Sequence, residues 1–476
     1  MDKVSQPIAI ALNRFGLGAR ADEAPPADPK GWLLAQFDVY DPRPAPWRAR
    51  PSSSVLAADL AQRRMAVAQD RKVKPGDDRP GREQPDAQAA RKALAADIRD
   101  DYRDAVGARV ESALTTPTPF VERLVHFWAN HFAVSAEKPA VAALAGSFEA
   151  EAIRPHVLGR FEDMLVAVEQ HPAMQLFLDQ PSSVGPHSKA VQRAERRDPS
   201  RSRGLNENLA REIMELHTLG ARTGYTQADV TEFARALTGW SIAGARGARP
   251  DDAAPGAFVF RAGLHEPGAR TIMGRQYAQA GVQQPLAVLR DLAASPDTAR
   301  HISLKLARHF IADNPPPEAV DRLARTYVRG GGDLSAMYRE LVDMPQAWMP
   351  ASVKFKTPWE WLISAMRGLG TRSGPRGAPA YAGLLAQLGQ PVWRPGSPAG
   401  YDDVAAAWAA PDALVRRVEA AQRLAARVNG AIDPRELARA LFAGTAGRGT
   451  VTAVARAESV QTAIALLLVS PDFQRR

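Results

Sequence analysis

The sequence predicts a mainly α-helical, multi-helix globular protein with a small β-hairpin near residues 258–273. Three observations carry this reading. Apolar residues recur at helical spacing through most of the chain. Clusters of Pro and Gly punctuate those stretches as helix ends do. Only Phe258–Arg261 and Thr271–Met273 read as strands, flanking a Gly/Pro loop at 262–270.

The chain has 476 residues, more than one small core accommodates. Three regions are expected: a helical one over 1–118, a motif-bearing one over 119–312 and a helical one over 313–476. In the first, 53–110 reads as two helices joined by the polar break KVKPGDDRPGREQP. In the second, Asn206 to Leu219 reads as a helix closed by Gly220. Thr226, with Asp229 three residues on, is a good N-cap for a second helix running to Trp240. From Pro285 onward helices resume, interrupted at 314–317, 329–332, 372–379 and 390–400. No repeat of solenoid period is present.

Composition excludes several classes. The 45% hydrophobic content is that of a globular protein. The longest apolar run, TAIALLLV before Ser470, falls far short of the roughly 20 residues a membrane helix needs. The chain has no cysteine, so disulfides, thiol nucleophiles and zinc–thiolate sites are excluded. The apolar piece Ile8 to Leu12 is too short for a signal-peptide core, so the chain reads as cytoplasmic. The net charge of +9 favours anionic partners, but the Arg- and Ala-rich composition also fits a GC-rich genome. No nucleic-acid-binding motif accompanies it. A basic stretch over 182–205 carries Lys189, Arg193, Arg196, Arg197, Arg201 and Arg203, and reads as a solvated loop or a flap for an anionic ligand.

The chemistry-bearing residues concentrate in the second region. At about 100° per residue, Glu207, Asn208, Arg211, Glu212, Glu215 and Thr218 share one face of the first hairpin helix. Leu209, Ile213, Met214 and Leu216 form the opposite, core-facing side, from which His217 also projects. Paired carboxylates at 212 and 215 would raise one another's pKa in a cleft. The second hairpin helix presents Asp229, Glu232 and Arg235 at spacing three, and the loop GARTGY folds the two polar edges together. A structural salt-bridge network is the plain alternative. His131 shares a face with Leu124 and Phe127, a placement that suits a core histidine as well as a functional one. His126 and Asn130 form an i,i+4 polar pair on another face. His265, in the loop GLHEPG beside Glu266, suits acid–base or metal chemistry. No HExxH, P-loop, GxGxxG or GxSxG motif is present.

These segments resemble the bacterial domain-of-unknown-function family 1800. The resemblance rests on ALNRFGLGA at 11–19, FWANHF at 127–132, HPAMQLFLDQPSSVGP at 171–186, RGLNENLAREIMELHTLG at 203–220, GYTQADVTEFARALTGW at 224–240, LHEPGARTIMGRQY at 264–277 and the closing LLLVSPDFQRR. It spans nearly the whole chain and implies no settled activity. It implies a neighbour resembling the alkaline-phosphatase and sulfatase superfamily, and export to the periplasm or beyond, often by a twin-arginine signal that this chain lacks. The resemblance implies that relatives often carry His-Asp where this chain has His265-Glu266. With the resemblance, the polar residues read as one shared site: His131, Glu212, Glu215 and His265 as catalytic groups, and Glu207, Asn208, Arg211, Asp229, Glu232, Arg235 and Trp240 as binding groups. A divalent metal there would be a hard cation, since His131 and His265 are the only histidines in the strongest polar motifs. The expected function is a hydrolase or lyase on a polymer or envelope-related substrate. The alternative is a non-catalytic partner of the phosphatase- or sulfatase-like protein.

Overall fold

The computed structural model describes residues 5–70, 85–197, 204–244, 253–350, 354–372, 378–428 and 432–476. It is 63% helical. The polar break at 72–84, the Arg201 and Arg203 end of the basic stretch and most of the 372–379 loop lie outside the described residues.

Proline starts the helices rather than breaking them. It occupies the first turn of those beginning at Pro119, Pro139, Pro296, Pro317, Pro358 and Pro411, where its missing N–H costs no hydrogen bond. Five elements frame the site. These are α1 (Pro119–His131), α2 (Phe161–Gln170), α3 (Asn208–Glu212, continued by a π-turn at Ile213–His217), α4 (Pro296–Phe310) and α5 (Pro358–Gly368). Capping boxes start the helices after Thr226 and Thr357, where each threonine side chain accepts from the third residue's N–H and that residue's carboxylate returns the bond.

The core is one contiguous cluster running from Ile10 to Phe473. Buried polar contacts tie its distant parts together. Arg123 of α1 pairs with Glu360 of α5, and Arg476 reaches the same carboxylate at 2.9 Å. Arg154 holds Glu122 with two bonds of 2.9 and 2.7 Å. Among the described residues no helix is long and apolar enough to cross a membrane.

The strands differ in pairing from the simple hairpin at 258–273. Phe258–Phe260 pairs antiparallel with Trp240–Ile242, and Arg270–Ile272 pairs with Arg275–Tyr277. The loop between 260 and 270 is too long for a tight hairpin turn, and Arg270–Ile272 instead turns tightly onto Arg275–Tyr277. The second hairpin helix ends at Leu237, not at Trp240, because Gly239 takes a positive φ of 88° and turns the chain into the strand. A side chain at Gly239 would meet the Arg261 carbonyl oxygen at 2.9 Å.

Candidate functional site

A cavity of about 300 Å³ opens between α1, α4, α5 and the segment 390–403. Its polar lining includes His126, His131, His301, Lys305, Arg308 and His309, and Trp359, Trp393, Phe127 and Leu304 supply apolar wall. Asn130 fixes the covering segment: its amide donates to the Tyr401 carbonyl and accepts from the Tyr401 N–H, both at 2.8 Å. This clasp needs glycine at 400, where φ is +82° and a Cβ would lie 2.2 Å from the Asn130 carbonyl oxygen.

The π-turn at the end of α3 organises the inner wall. Carbonyls at a helix terminus lack intrahelical donors. Here imidazoles supply them: His131 Nε2 donates to the His217 carbonyl and His301 Nε2 to the Leu216 carbonyl, each at 3.1 Å. Because a carbonyl only accepts, these bonds place the ring proton on Nε2 in both histidines. His131 Nδ1 is then a buried lone pair, and among the described residues it has no hydrogen-bond partner. Burial, followed by the charges of Lys305 and the neighbouring histidines, holds His131 well below its ordinary pKa. Burial and Lys305 likewise lower His301 to about 4.

Behind this wall His217 Nδ1 donates to Glu169 Oε1 at 2.7 Å, and both side chains are buried. On the far side His309 Nδ1 meets Asp403 Oδ2 at 2.5 Å. Burial opposes ionisation of Asp403, but His309, Lys354 and Arg476 outweigh it and hold the carboxyl below the usual range. Burial and the nearby Arg109 lower His126 to about 4, and the Trp359 indole donates to its Nδ1 at 3.2 Å. Arg109 is stacked on Trp359 at 4.4 Å and paired with Glu149 at 2.8 Å. The cavity therefore combines neutral imidazoles with cationic groups, a set suited to proton transfer on an anionic ligand.

The residues named from the sequence fall into several groups. His131 lines the cavity. Glu212 and Glu215 are half-buried; burial raises Glu212, Glu215 and Glu169 add to that, and His217 and Arg211 oppose it. Glu207 joins the two hairpin helices, accepting from Arg211 at 3.1 Å, Gln227 at 2.8 Å and Thr231 at 2.7 Å. Asn208 is exposed beside it. Glu232 pairs with Arg235 and, at 3.2 Å, with Arg270. Asp229 caps its helix and accepts from the Met273 N–H at 2.6 Å. His265 donates from Nδ1 to the Thr238 carbonyl at 2.8 Å and packs on Phe260. Trp240 is buried against Phe258. Among the described residues no hydrogen bond or ion pair joins His265 to Glu212, and no group of three or more His, Asp or Glu is gathered as for a metal ion.

Sequence reasoning missed His301, Lys305, Arg308, His309, Glu169 and Asp403. For the first three the signal was present: TARHISLKLARHF spaces them by four and three residues, one face of a helix. Glu169 and Asp403 carry no local signature.

Fold and site together define a helical protein built around a histidine-rich cavity lined by both cationic and acidic side chains. A family model described as "Protein of unknown function (DUF1800)" matches residues 10–475, and the chain belongs to that family. No curated protein and no solved structure matches the chain.

Proposed function

We propose that the protein is an enzyme of the hydrolase or lyase class that acts on an anionic substrate held in the cavity around His131. One observation carries this reading: a buried imidazole with its proton committed to a carbonyl and its other nitrogen unpartnered stands in a cavity beside Lys305 and Arg308. A neutral imidazole of that kind is a general base, and neighbouring cations stabilise the negative charge that develops as it works. Of the residues named from the sequence, His131 is the proton acceptor. Glu212 and Glu215 act behind it through the field at His217, and Glu207, Asn208, Arg211, Asp229, Glu232, Arg235, Trp240 and His265 support the wall and the adjoining loops. A polymer or envelope-related substrate would present its anionic end to the cavity.

The test is turnover. Wild type is assayed on p-nitrophenyl esters of carboxylic, phosphoric and sulfuric acids and, for elimination, on uronate polymers. Activity on one class, falling at least about 100-fold in His131→Gln with the fold intact, is expected from loss of a general base. Activity that survives His131→Gln undiminished refutes the assignment.

A second reading, a non-catalytic partner of a phosphatase- or sulfatase-like protein, draws on exposed apolar residues. Leu414, Val415 and Val418 lie on the helix Pro411–Ala425, and Val451 and Leu466 on the helices Arg448–Ala455 and Val460–Val469. Exposed apolar side chains grouped on neighbouring helices suit an interface. Co-expression with the purified neighbour and a Val415→Glu variant tests it: a complex lost in the variant supports this reading, and no complex with wild type excludes it.

A further inference from the structure

The α4 helix sets His301, Lys305 and Arg308 on one face, and all three line the cavity. Other lysines that are drawn into this structure have partners. Lys354 reaches Asp313 at 2.6 Å, Lys356 donates to Ser364 at 3.1 Å and lies over the Phe473 ring, and Lys138 pairs with Asp179 at 2.8 Å. Half-buried Lys305 has neither a hydrogen bond nor an ion pair among the described residues. Withdrawing an ammonium from water without a partner is costly, so the position favours the neutral amine.

We propose that Lys305 is an imine-forming amine, and that the cavity takes a small carbonyl compound carrying a carboxylate or phosphate group. The inference rests on the cavity being the ligand site, as argued above, and narrows the reaction to the lyase class. Arg308 supplies the anion contact. Its Nε donates to the Asp313 carbonyl at 3.1 Å, and its terminal nitrogens have no partner among the described residues, which leaves a guanidinium edge for an oxyanion. Burial, with Arg308 adding to it and Asp403 opposing, brings the Lys305 amine down to about 8. About a tenth of it is then the free base at pH 7.

The step balances without an oxidant or a reductant. The Lys305 nitrogen lone pair adds to the carbonyl carbon, and the carbonyl oxygen takes a proton from solvent to give a carbinolamine still protonated on nitrogen. His131 Nδ1 accepts a proton from the nitrogen and returns it to the departing hydroxyl, which leaves as water. The protonated imine that remains accepts the electron pair of a C–H bond at the neighbouring carbon, whose proton passes to His131 Nδ1 to leave an enamine. Trp359, Trp393 and Phe127 keep bulk water from the linkage.

Reductive trapping tests this. The full chain is incubated at pH 7 with sodium cyanoborohydride and, separately, pyruvate, glyoxylate and pyridoxal 5′-phosphate, and modified lysines are mapped by peptide mass. Expected is modification of Lys305 by at least one of these carbonyls at least tenfold above the exposed Lys92 and Lys189. Lys305→Arg removes that label, and Arg308→Gln reduces it several-fold more than it reduces labelling by uncharged propanal. If Lys305→Arg does not fold by circular dichroism, Lys305→Met takes its place. Labelling that follows exposure, with Lys305 no more reactive than Lys92 for all three carbonyls, overturns the proposal. A thermal shift with pyruvate that is lost in His131→Gln, without any label on Lys305, overturns the imine and leaves the acid–base reading standing.

Discussion

At the scale of single residues, the decisive feature is where protons and lone pairs are fixed. His217 donates to Glu169 in a place water does not reach, and the His217 carbonyl in turn receives His131. Replacing Glu169 with alanine strands the His217 N–H and opens a small void. The expected loss is about 1–3 kcal/mol in urea denaturation, the cost of an unpaired buried donor. A loss under about 0.5 kcal/mol would mean that His217 turns to another acceptor. His131 was visible in the sequence as a histidine on an apolar helix face, a position that suits a core residue as well as a functional one. What its nitrogens do depends on α3 and α4, which lie about 80 and 170 residues further along the chain, and no spacing rule reaches that far.

At the scale of elements, caps and turns aim the side chains. The capping box at Thr357 starts the helix that carries Trp359 and Glu360 into the cavity wall. Thr357→Ala should cost about 1 kcal/mol by thermal or chemical unfolding. No change in stability would show that tertiary packing alone holds that helix start. Gly400→Ala should cost more than about 1 kcal/mol, since the new Cβ needs both an unfavourable φ and space held by Asn130. Crystallographic or hydrogen-exchange comparison should show the 390–403 segment loosened over the cavity; unchanged protection there would contradict the clasp. The hairpin helices and the Thr226–Asp229 cap were legible, because periodicity and capping are local. The π-turn was not. It inserts an extra residue per turn without a compositional marker, and it carries the two carbonyls that orient His131 and His301. The strands at 258–260 and 270–272 were legible as strands, and their partners at 240–242 and 275–277 were not, one of them following directly on a helical pattern.

At the scale of the whole molecule, mainly α architecture followed from pattern, while the cavity needed four separate stretches to meet. Most of its residues come from 123–134, 301–309, 357–360 and 390–403, with Leu17, Arg109 and Leu216 added from elsewhere. Their burial has a collective consequence for stability. His126 and His301 are held at about 4 when folded and titrate near 6.5 when unfolded. Between those values the unfolded chain binds more protons, so stability rises with pH across that window and falls as pH drops through it. His126 alone contributes about 3 kcal/mol to that change. Lys356, lowered by burial to about 7, and Lys305 at about 8 act in the same direction at higher pH, with stability rising up to about pH 10 as the unfolded lysines lose their protons. Urea denaturation from pH 4 to pH 7 should show a steep gain, and a flat profile would place these histidines in solvent.

The central claim is that His131 is a neutral base facing a ligand cavity. Long-range proton–nitrogen correlation spectra of histidine-labelled protein measure this directly. The His131 ring is expected to stay in the Nε2-protonated neutral form well below the ordinary histidine range, because burial opposes its charged form. Its Nδ1 resonance should move on addition of a small carbonyl-bearing carboxylate such as pyruvate, while that of His187, exposed and paired with Glu266, does not. A His131 ring that titrates near 6.5 and ignores the ligand would contradict the account.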